Sequence, residues 1–144
     1  MALLDITFFA EDTDFVLPQK QKVREWIGSV IKNEGFARIS ELNFIFCSDD
    51  YLLDVNKEYL NHDTYTDIIT FDSSEVENMI AGDIFISIDR IRDNAAKFQV
   101  SDKDELHRVI VHGILHLCGY GDKTKTEKTR MTEKENEYLA TRHF

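Results

Sequence analysis

Two histidines four residues apart, His112 and His116, are the residues whose type and spacing best suit chemistry. They lie in an apolar segment, DELHRVIVHGILHL, which predicts a buried helix ending near Leu117. Side chains at helix positions i and i+4 project from one face about a turn apart, so two imidazoles can converge on one ion. The Gly-Tyr-Gly turn that follows can bring Asp122 to the same face. The three side chains predict a divalent metal site with a coordination position left for water.

An ion held by these residues would lower the pKa of its bound water and make hydroxide available near neutral pH. That water is the one catalytic group that the pattern indicates, and no side chain is identified as the general base. A carboxylate is a harder ligand than imidazole, so Asp122 widens the choice of metal from zinc to other divalent ions. The H-E-x-x-H motif of metalloproteases needs a glutamate where this chain has Gly113, which counts against a protease. A glycine in mid-helix also predicts that another segment packs closely against the backbone there.

Neighbouring residues of similar type have simpler explanations. A lone buried histidine is more often a hydrogen-bonded core residue than a ligand, and His107 lies on a different side of the predicted helix. Cys47 and Cys118 are far apart in sequence, so both are expected to be free thiols. Asp122 taken alone would be explained equally well as the cap of the next helix.

The elements that must position these residues are predicted from hydrophobic periodicity and capping residues. Ser48, Asp89 and Ser101 are expected to cap helices, and Gly82 to mark a bulge or a close backbone approach. The predicted strands cover residues 3–9, 39–47, 68–71 and 80–88, and the predicted helices cover residues 18–35, 48–59, 89–97, 101–117 and 126–139, the last mostly exposed. No linker interrupts the chain, so residues 1–144 are expected to form a single domain. The expected class is α+β, with one mixed sheet of about four strands, about five helices and a buried metal-ligand helix.

The amino-acid composition limits the kinds of partner and the location that can be expected for the protein. The formal net charge of −10 argues against general, charge-driven binding to polyanions. No run approaches the roughly 18 apolar residues of a membrane span. The N-terminus lacks the basic region and cleavage site of a signal peptide, so a cytoplasmic protein is expected.

The segment HGILHLCGYGD is similar to the H-G-x-x-H-L-x-G-Y-x-H signature of the YbeY family of bacterial endoribonucleases. Upstream, the residues NKEY from Asn56, then Asp63 and the segment TDIITF from Thr66, resemble the family pattern N-x-x-Y-R-x-x-D-x-x-T-D-V-L-S-F. Gly82 begins a match to the family's G-D/E-I strand, and residues 131–139 resemble its closing helix. The resemblance covers most of the chain from about Leu42 onward.

This resemblance implies an α+β domain that binds one zinc ion and cleaves single-stranded RNA, acting on precursor 16S rRNA in 3′-end maturation and ribosome quality control. It implies RNA and the ribosome as partners, with no role for DNA or a membrane. The family's three ligand histidines fall on His112, His116 and Asp122, the last being a departure from histidine. The family's arginine after the N-x-x-Y tyrosine falls on Leu60, which removes a positive charge expected near RNA. Residues expected to line the substrate groove or to support the ligands are Asp63, Thr66, Asp67 and Lys123.

Two alternatives remain open at this point. The acidic composition favours a metallohydrolase that acts on another phosphoester. A ribosome-assembly factor with a structural metal would follow if a protein group such as Tyr120 filled the fourth coordination position. The three loop residues Asp63, Thr66 and Asp67 are equally well explained by turn and cap chemistry.

Overall fold

A computed structural model describes residues 3–144 of the chain. A short 3₁₀ turn, Leu3–Asp5, comes before the first strand. The strands are β1 (Ile6–Glu11), β2 (Arg38–Cys47), β3 (Ile68–Asp72) and β4 (Met79–Ser87). The helices are α1 (Lys20–Asn33), α2 (Asp49–Leu60), α3 (Ile88–Phe98), α4 (Asp102–Leu117) and α5 (Lys125–Leu139).

The four strands form one mixed sheet in the order β1-β2-β4-β3. β1 and β4 both run parallel to β2, whereas the edge strand β3 runs antiparallel to β4. The register of β2 against β4 shifts between Ile39 and Leu42, where Glu41 takes a positive φ of 45°. On the other side of β4, a Cβ added at Gly82 would lie 2.2 Å from the carbonyl oxygen of Phe71. The predicted α+β class with one mixed sheet is confirmed, and so is the close backbone approach at Gly82.

The helix that carries the two histidines lies in the centre of the core. Most of α4 is buried, and it packs against β3 and β4 of the sheet as well as against α1, α3 and α5. At Gly113 an added Cβ would lie 2.9 Å from Ile68 Cδ1 and 3.0 Å from Ile84 Cγ2. The close packing predicted from this glycine is therefore confirmed. The sheet thus fixes the depth and rotation of the histidine helix.

The other face of the sheet carries α2. A smaller apolar cluster there consists of Cys47, Leu52, Val55 and Ile69. Ser48 caps α2 by accepting a hydrogen bond from the Tyr51 amide, as its position in the sequence predicted. Within residues 3–144, no helix has both the length and the apolar character that crossing a membrane requires.

Several predicted boundaries were wrong. The predicted strand over residues 3–9 begins only at Ile6, because that residue is the first to pair with β2, opposite Leu42. Asp89 does not cap α3: the hydroxyl of Ser87 accepts from the Arg90 amide, and Asp89 accepts from the amide of Asp49 instead.

The last helix also differs from its prediction. It begins before residue 126, because Thr124 and Glu127 form a reciprocal capping box. It is mostly exposed, as predicted, but it buries Met131, Glu135 and Tyr138. These three residues recur at spacings of three and four, so one face of a strongly charged helix packs against the core.

Candidate metal centre

The structure brings the three predicted ligand residues together. His112 Nε2 and His116 Nε2 lie 2.9 Å apart. Asp122 Oδ2 lies 3.2 Å from the first nitrogen and 3.3 Å from the second. Ligands at zinc–donor distances of about 2.0–2.1 Å in a tetrahedron are about 3.3 Å apart, so the three atoms are spaced like ligands around one ion. Helix α4 and the turn after it therefore present a triangle of donors.

Hydrogen bonds at the far side of each ring explain why the donors converge. His112 Nδ1 contacts Glu135 Oε2 at 2.7 Å, and His116 Nδ1 contacts the carbonyl oxygen of Tyr120 at 2.9 Å. A carboxylate and a carbonyl can only accept, so both Nδ1 atoms carry protons. When each imidazole is neutral, both Nε2 atoms present lone pairs to the same point. The lone pairs of the two Nε2 atoms and of Asp122 Oδ2 then repel each other around one point. A cation at that point relieves the repulsion, so the residues fit a metal ion.

The electrostatics around His112 favour positive charge. Burial by itself would lower the pKa of His112, but the hydrogen bond to Glu135 and the charges of Glu135, Asp122 and Asp67 raise it above its usual value. Burial also raises the pKa of Asp67, although the charge of His112 opposes that change. Without an ion, a proton on His112 compensates part of this negative charge. A divalent cation and that proton therefore compete for the same position.

The ligands remain accessible from one side. The side chain of His112 is 22% exposed, that of His116 is 25% exposed and that of Asp122 is 39% exposed. A structural zinc site normally has four protein ligands and is closed to solvent, whereas catalytic sites keep a position open. Tyr120 does not supply a fourth ligand through its hydroxyl, because that hydroxyl donates to Glu34 at 2.7 Å. Three donors with an open side form the arrangement of a catalytic metal site.

The four other predicted site residues lie in different surroundings. Asp67 is half-buried, and its charge acts on His112. Thr66 donates to the carbonyl oxygen of Ile68, which is a local turn contact. Asp63 is exposed and forms an ion pair with Lys57 at 3.4 Å. The side chain of Lys123 is exposed, while its backbone amide donates to Glu127. Of these four, Asp67 is the one whose charge acts on a ligand histidine.

Sequence reasoning missed Glu135. It lies in the helix that was predicted to be mostly exposed, yet its side chain is 8% exposed and it accepts from both His112 and Arg108. The burial of Glu135 could have been predicted, because residues 131, 135 and 138 have the spacing of a single helix face. His107 has the structural role predicted for it, since it packs between Trp26 and Phe144 and contacts Arg142.

The fold and the site together define an α+β protein in which a buried helix and the following turn present a His/His/Asp set able to hold a metal ion. Comparison with known proteins identifies its family. The model of the family described as endoribonuclease YbeY matches residues 7–143.

Relatives match over nearly the whole chain. The chain is 55% identical to the endoribonuclease YbeY of Cytophaga hutchinsonii over 139 residues, which are 96% of each protein. It is 50% identical to the endoribonuclease YbeY of Flavobacterium johnsoniae, with 94% of this chain and 96% of the relative covered. A solution structure of a Thermotoga maritima protein superposes with a TM-score of 0.65 at 26% identity, covering 93% of this chain and 86% of that one.

The chain belongs to the endoribonuclease YbeY family, as the resemblance of its motifs predicted. Its enzyme class is therefore that of hydrolases that cleave RNA internally. The donor set and the family together support a metal cofactor.

Proposed function

We propose that this protein is a metal-dependent endoribonuclease specific for single-stranded RNA, with a role in 16S rRNA 3′-end maturation and ribosome quality control in the cytoplasm. The observation that carries the proposal is the open triangle of His112, His116 and Asp122 in a member of this family. Precursor 16S rRNA and the ribosome are its proposed partners.

We assign one divalent cation, zinc in the first place, to His112, His116 and Asp122. When bound, such a cation supplies a Lewis acid that polarises a phosphoryl oxygen and lowers the pKa of coordinated water. The carboxylate in place of a third imidazole makes the donor set harder, so manganese or iron would bind better here than in a site with three histidines. The metal preference is therefore expected to differ from that of relatives with histidine at this position.

The protein's own groups prepare the site for this role. Glu135 and the carbonyl of Tyr120 hold both Nδ1 protons, which keeps the two Nε2 atoms free to bind the ion. The three ligands are partly exposed, and we propose that the phosphodiester lies in a groove on their accessible side. We assign Asp67 to this groove because its charge acts on His112. Lys123, next to Asp122 in the chain, is proposed to contact a phosphate.

The acidic protein has few obvious means of attracting RNA. Leu60, at the position of the family's arginine, is 41% exposed and brings no charge. Asp63 and Thr66, in the loop before β3, are weaker candidates for substrate contact because their contacts within the protein are local. RNA binding is therefore expected to rely on the cation and on a few nearby lysines. Steep salt dependence is not expected, since few phosphates would be neutralised.

Cleavage of three matched substrates would test the proposal: a single-stranded RNA, its duplex and a DNA of the same sequence. The wild-type protein is expected to cleave only the single-stranded RNA, to lose activity on chelation and to regain it with zinc or manganese. His116→Ala is expected to be inactive. His143→Ala is the matched control, because His143 is exposed and lies away from the donor triangle in the sequence.

Two other outcomes would redirect the assignment. Hydrolysis of a small phosphodiester without cleavage of RNA would indicate a different phosphoester substrate. One tightly bound ion with no hydrolysis at all would instead indicate a ribosome-assembly factor whose metal is structural. Full RNA cleavage by His116→Ala would refute the assigned metal centre.

A further inference from the structure

The turn after α4 holds the second histidine through its backbone. Gly119 adopts a positive φ of 105°, and the amide of Tyr120 donates back to the carbonyl of Leu115 at 3.0 Å. This geometry directs the Tyr120 carbonyl toward His116 Nδ1. The phenol hydroxyl of Tyr120 donates to Glu34 Oε1 at 2.7 Å. A residue in the turn after α4 is thus hydrogen-bonded to the C-terminal end of α1.

Glu34 is the centre of a buried polar network. Its side chain is 8% exposed, its second oxygen accepts from the Tyr138 hydroxyl, and Lys134 lies 3.5 Å away. The Tyr138 hydroxyl in turn accepts from Asn33 at 2.8 Å. Burial alone would raise the pKa of Glu34, but the hydrogen bonds from Tyr138 and Tyr120 and the charge of Lys134 lower it. The carboxylate is ionised and joins α1, the turn and α5.

Asp122 depends on this turn for its position. Within residues 3–144, its carboxylate has no hydrogen bond or ion pair except those with the two imidazoles. The backbone on its C-terminal side is held by Glu127, which accepts from the amides of Lys123 and Thr124. On its N-terminal side, the nearest side-chain anchor is the hydroxyl of Tyr120. Two anchors therefore bracket the one ligand that does not lie on a helix.

We propose that Glu34 is a positioning residue for the metal centre. Through the Tyr120 hydroxyl it fixes the turn that carries both the carbonyl acceptor of His116 and the ligand Asp122. The inference rests on the proposed metal site and adds a remote residue to it. Glu34 touches none of the three donor side chains, so its effect must pass through Tyr120.

Cobalt binding by the protein tests this positioning role directly, because the visible absorption of Co²⁺ reports its coordination number and ligands. Tyr120→Phe removes only the hydroxyl that reaches Glu34. It is expected to weaken Co²⁺ binding by about tenfold, the lower end of what loss of a ligand-orienting contact costs, and to alter the cobalt spectrum. Glu34→Ala removes the oxygen that accepts from Tyr120 and is expected to do the same. The double variant should bind no more weakly than the stronger of the single effects, since both changes break one connection.

Tyr138→Phe is the matched control. It removes the other hydroxyl from the same carboxylate and also loses the contact with Asn33, yet it leaves the Tyr120 contact in place. It is expected to lower the melting temperature while leaving the cobalt affinity and spectrum unchanged. This comparison separates positioning of the metal from general stabilisation.

Three results would overturn the inference. Unchanged cobalt affinity and spectrum in Tyr120→Phe would remove the connection while leaving the metal centre standing. Equal weakening by Tyr138→Phe would show that the network acts only through stability. A wild-type protein that binds no cobalt would overturn the proposed metal centre and this inference with it.

Discussion

Replacing Glu135 by glutamine is expected to weaken metal binding although Glu135 is not a ligand. The carboxylate uses one oxygen for each of two donors: Oε2 for His112 Nδ1 at 2.7 Å and Oε1 for Arg108 at 2.9 Å. An amide has one oxygen, so its NH₂ group must face one of these donors. If the oxygen keeps Arg108, the NH₂ group faces His112 and favours the tautomer with its proton on Nε2, which cannot bind a metal.

The size of the effect follows from this change. Loss of a partner that orients a ligand typically costs about 10- to 100-fold in metal affinity, or about 1.4 to 2.8 kcal/mol. Because the glutamine opposes the required tautomer as well as losing the charge, Glu135→Gln is expected near the upper end. RNA cleavage at limiting metal should fall in parallel and should recover in part at high metal concentration.

Competition with a chromophoric chelator for zinc and for manganese would measure the change. Glu133→Gln is the matched control, because it makes the same substitution two residues away at an exposed position of the same helix. It should bind metal as the wild type does. Affinity of Glu135→Gln within twofold of that control would refute the role assigned to this hydrogen bond.

Three further predictions concern packing and pH. Gly113→Ala gains about 1 kcal/mol of helix propensity but forces a methyl to 2.9 Å from Ile68 Cδ1, and such overpacking costs about 1–3 kcal/mol. Urea unfolding should therefore show a net loss of stability near 1 kcal/mol, and a net gain would contradict this prediction. Burial lowers the pKa of His107 to about 4, so lowering the pH from the usual histidine pKa toward about 4 should cost up to about 3 kcal/mol of folding stability. His107→Gln should lessen this loss, and an equal loss in the variant would exclude His107 as the cause. The pKa of His112 is raised, so its proton stabilises the metal-free protein fully below the usual histidine pKa and less as the pH rises through the pKa of the folded state. Calorimetry in buffers of different ionisation enthalpy should show that a proton is released when metal binds below that pKa. Metal binding without proton release would contradict this prediction.

Local patterns in the sequence were sufficient to predict the helix that carries the two histidine ligands. The apolar circumference of α4, the i and i+4 spacing of its histidines and the glycine turn are all local features, and each corresponds to the observed structure. The same holds for Gly113, whose cost in a helix indicated a close neighbour. The histidine spacing and the glycine turn could be predicted because they depend on residues within two turns of each other. For Gly113 only the presence of a close neighbour could be predicted, since Ile68 and Ile84 are distant in sequence.

Other features depend on contacts between distant segments. Glu135 becomes buried only because α5 packs its inner face against α4, which charge patterning in α5 does not reveal. The start of β1 is set by its pairing with β2, since Ile6 lies opposite Leu42. Ser87 rather than Asp89 caps α3 because β4 continues without a loop into that helix. The position of Asp67 beside His112 likewise depends on the packing of β3 against α4.

A single divalent ion held by His112, His116 and Asp122 is proposed to be required for cleavage of RNA. Stepwise addition of zinc to chelated protein, with bound metal and cleavage of a single-stranded RNA measured at each step, tests it most directly. Both signals are expected to rise together and to stop rising at one ion per chain. Full cleavage before any metal is added, or an activity that begins only after the first ion is bound, would contradict the claim.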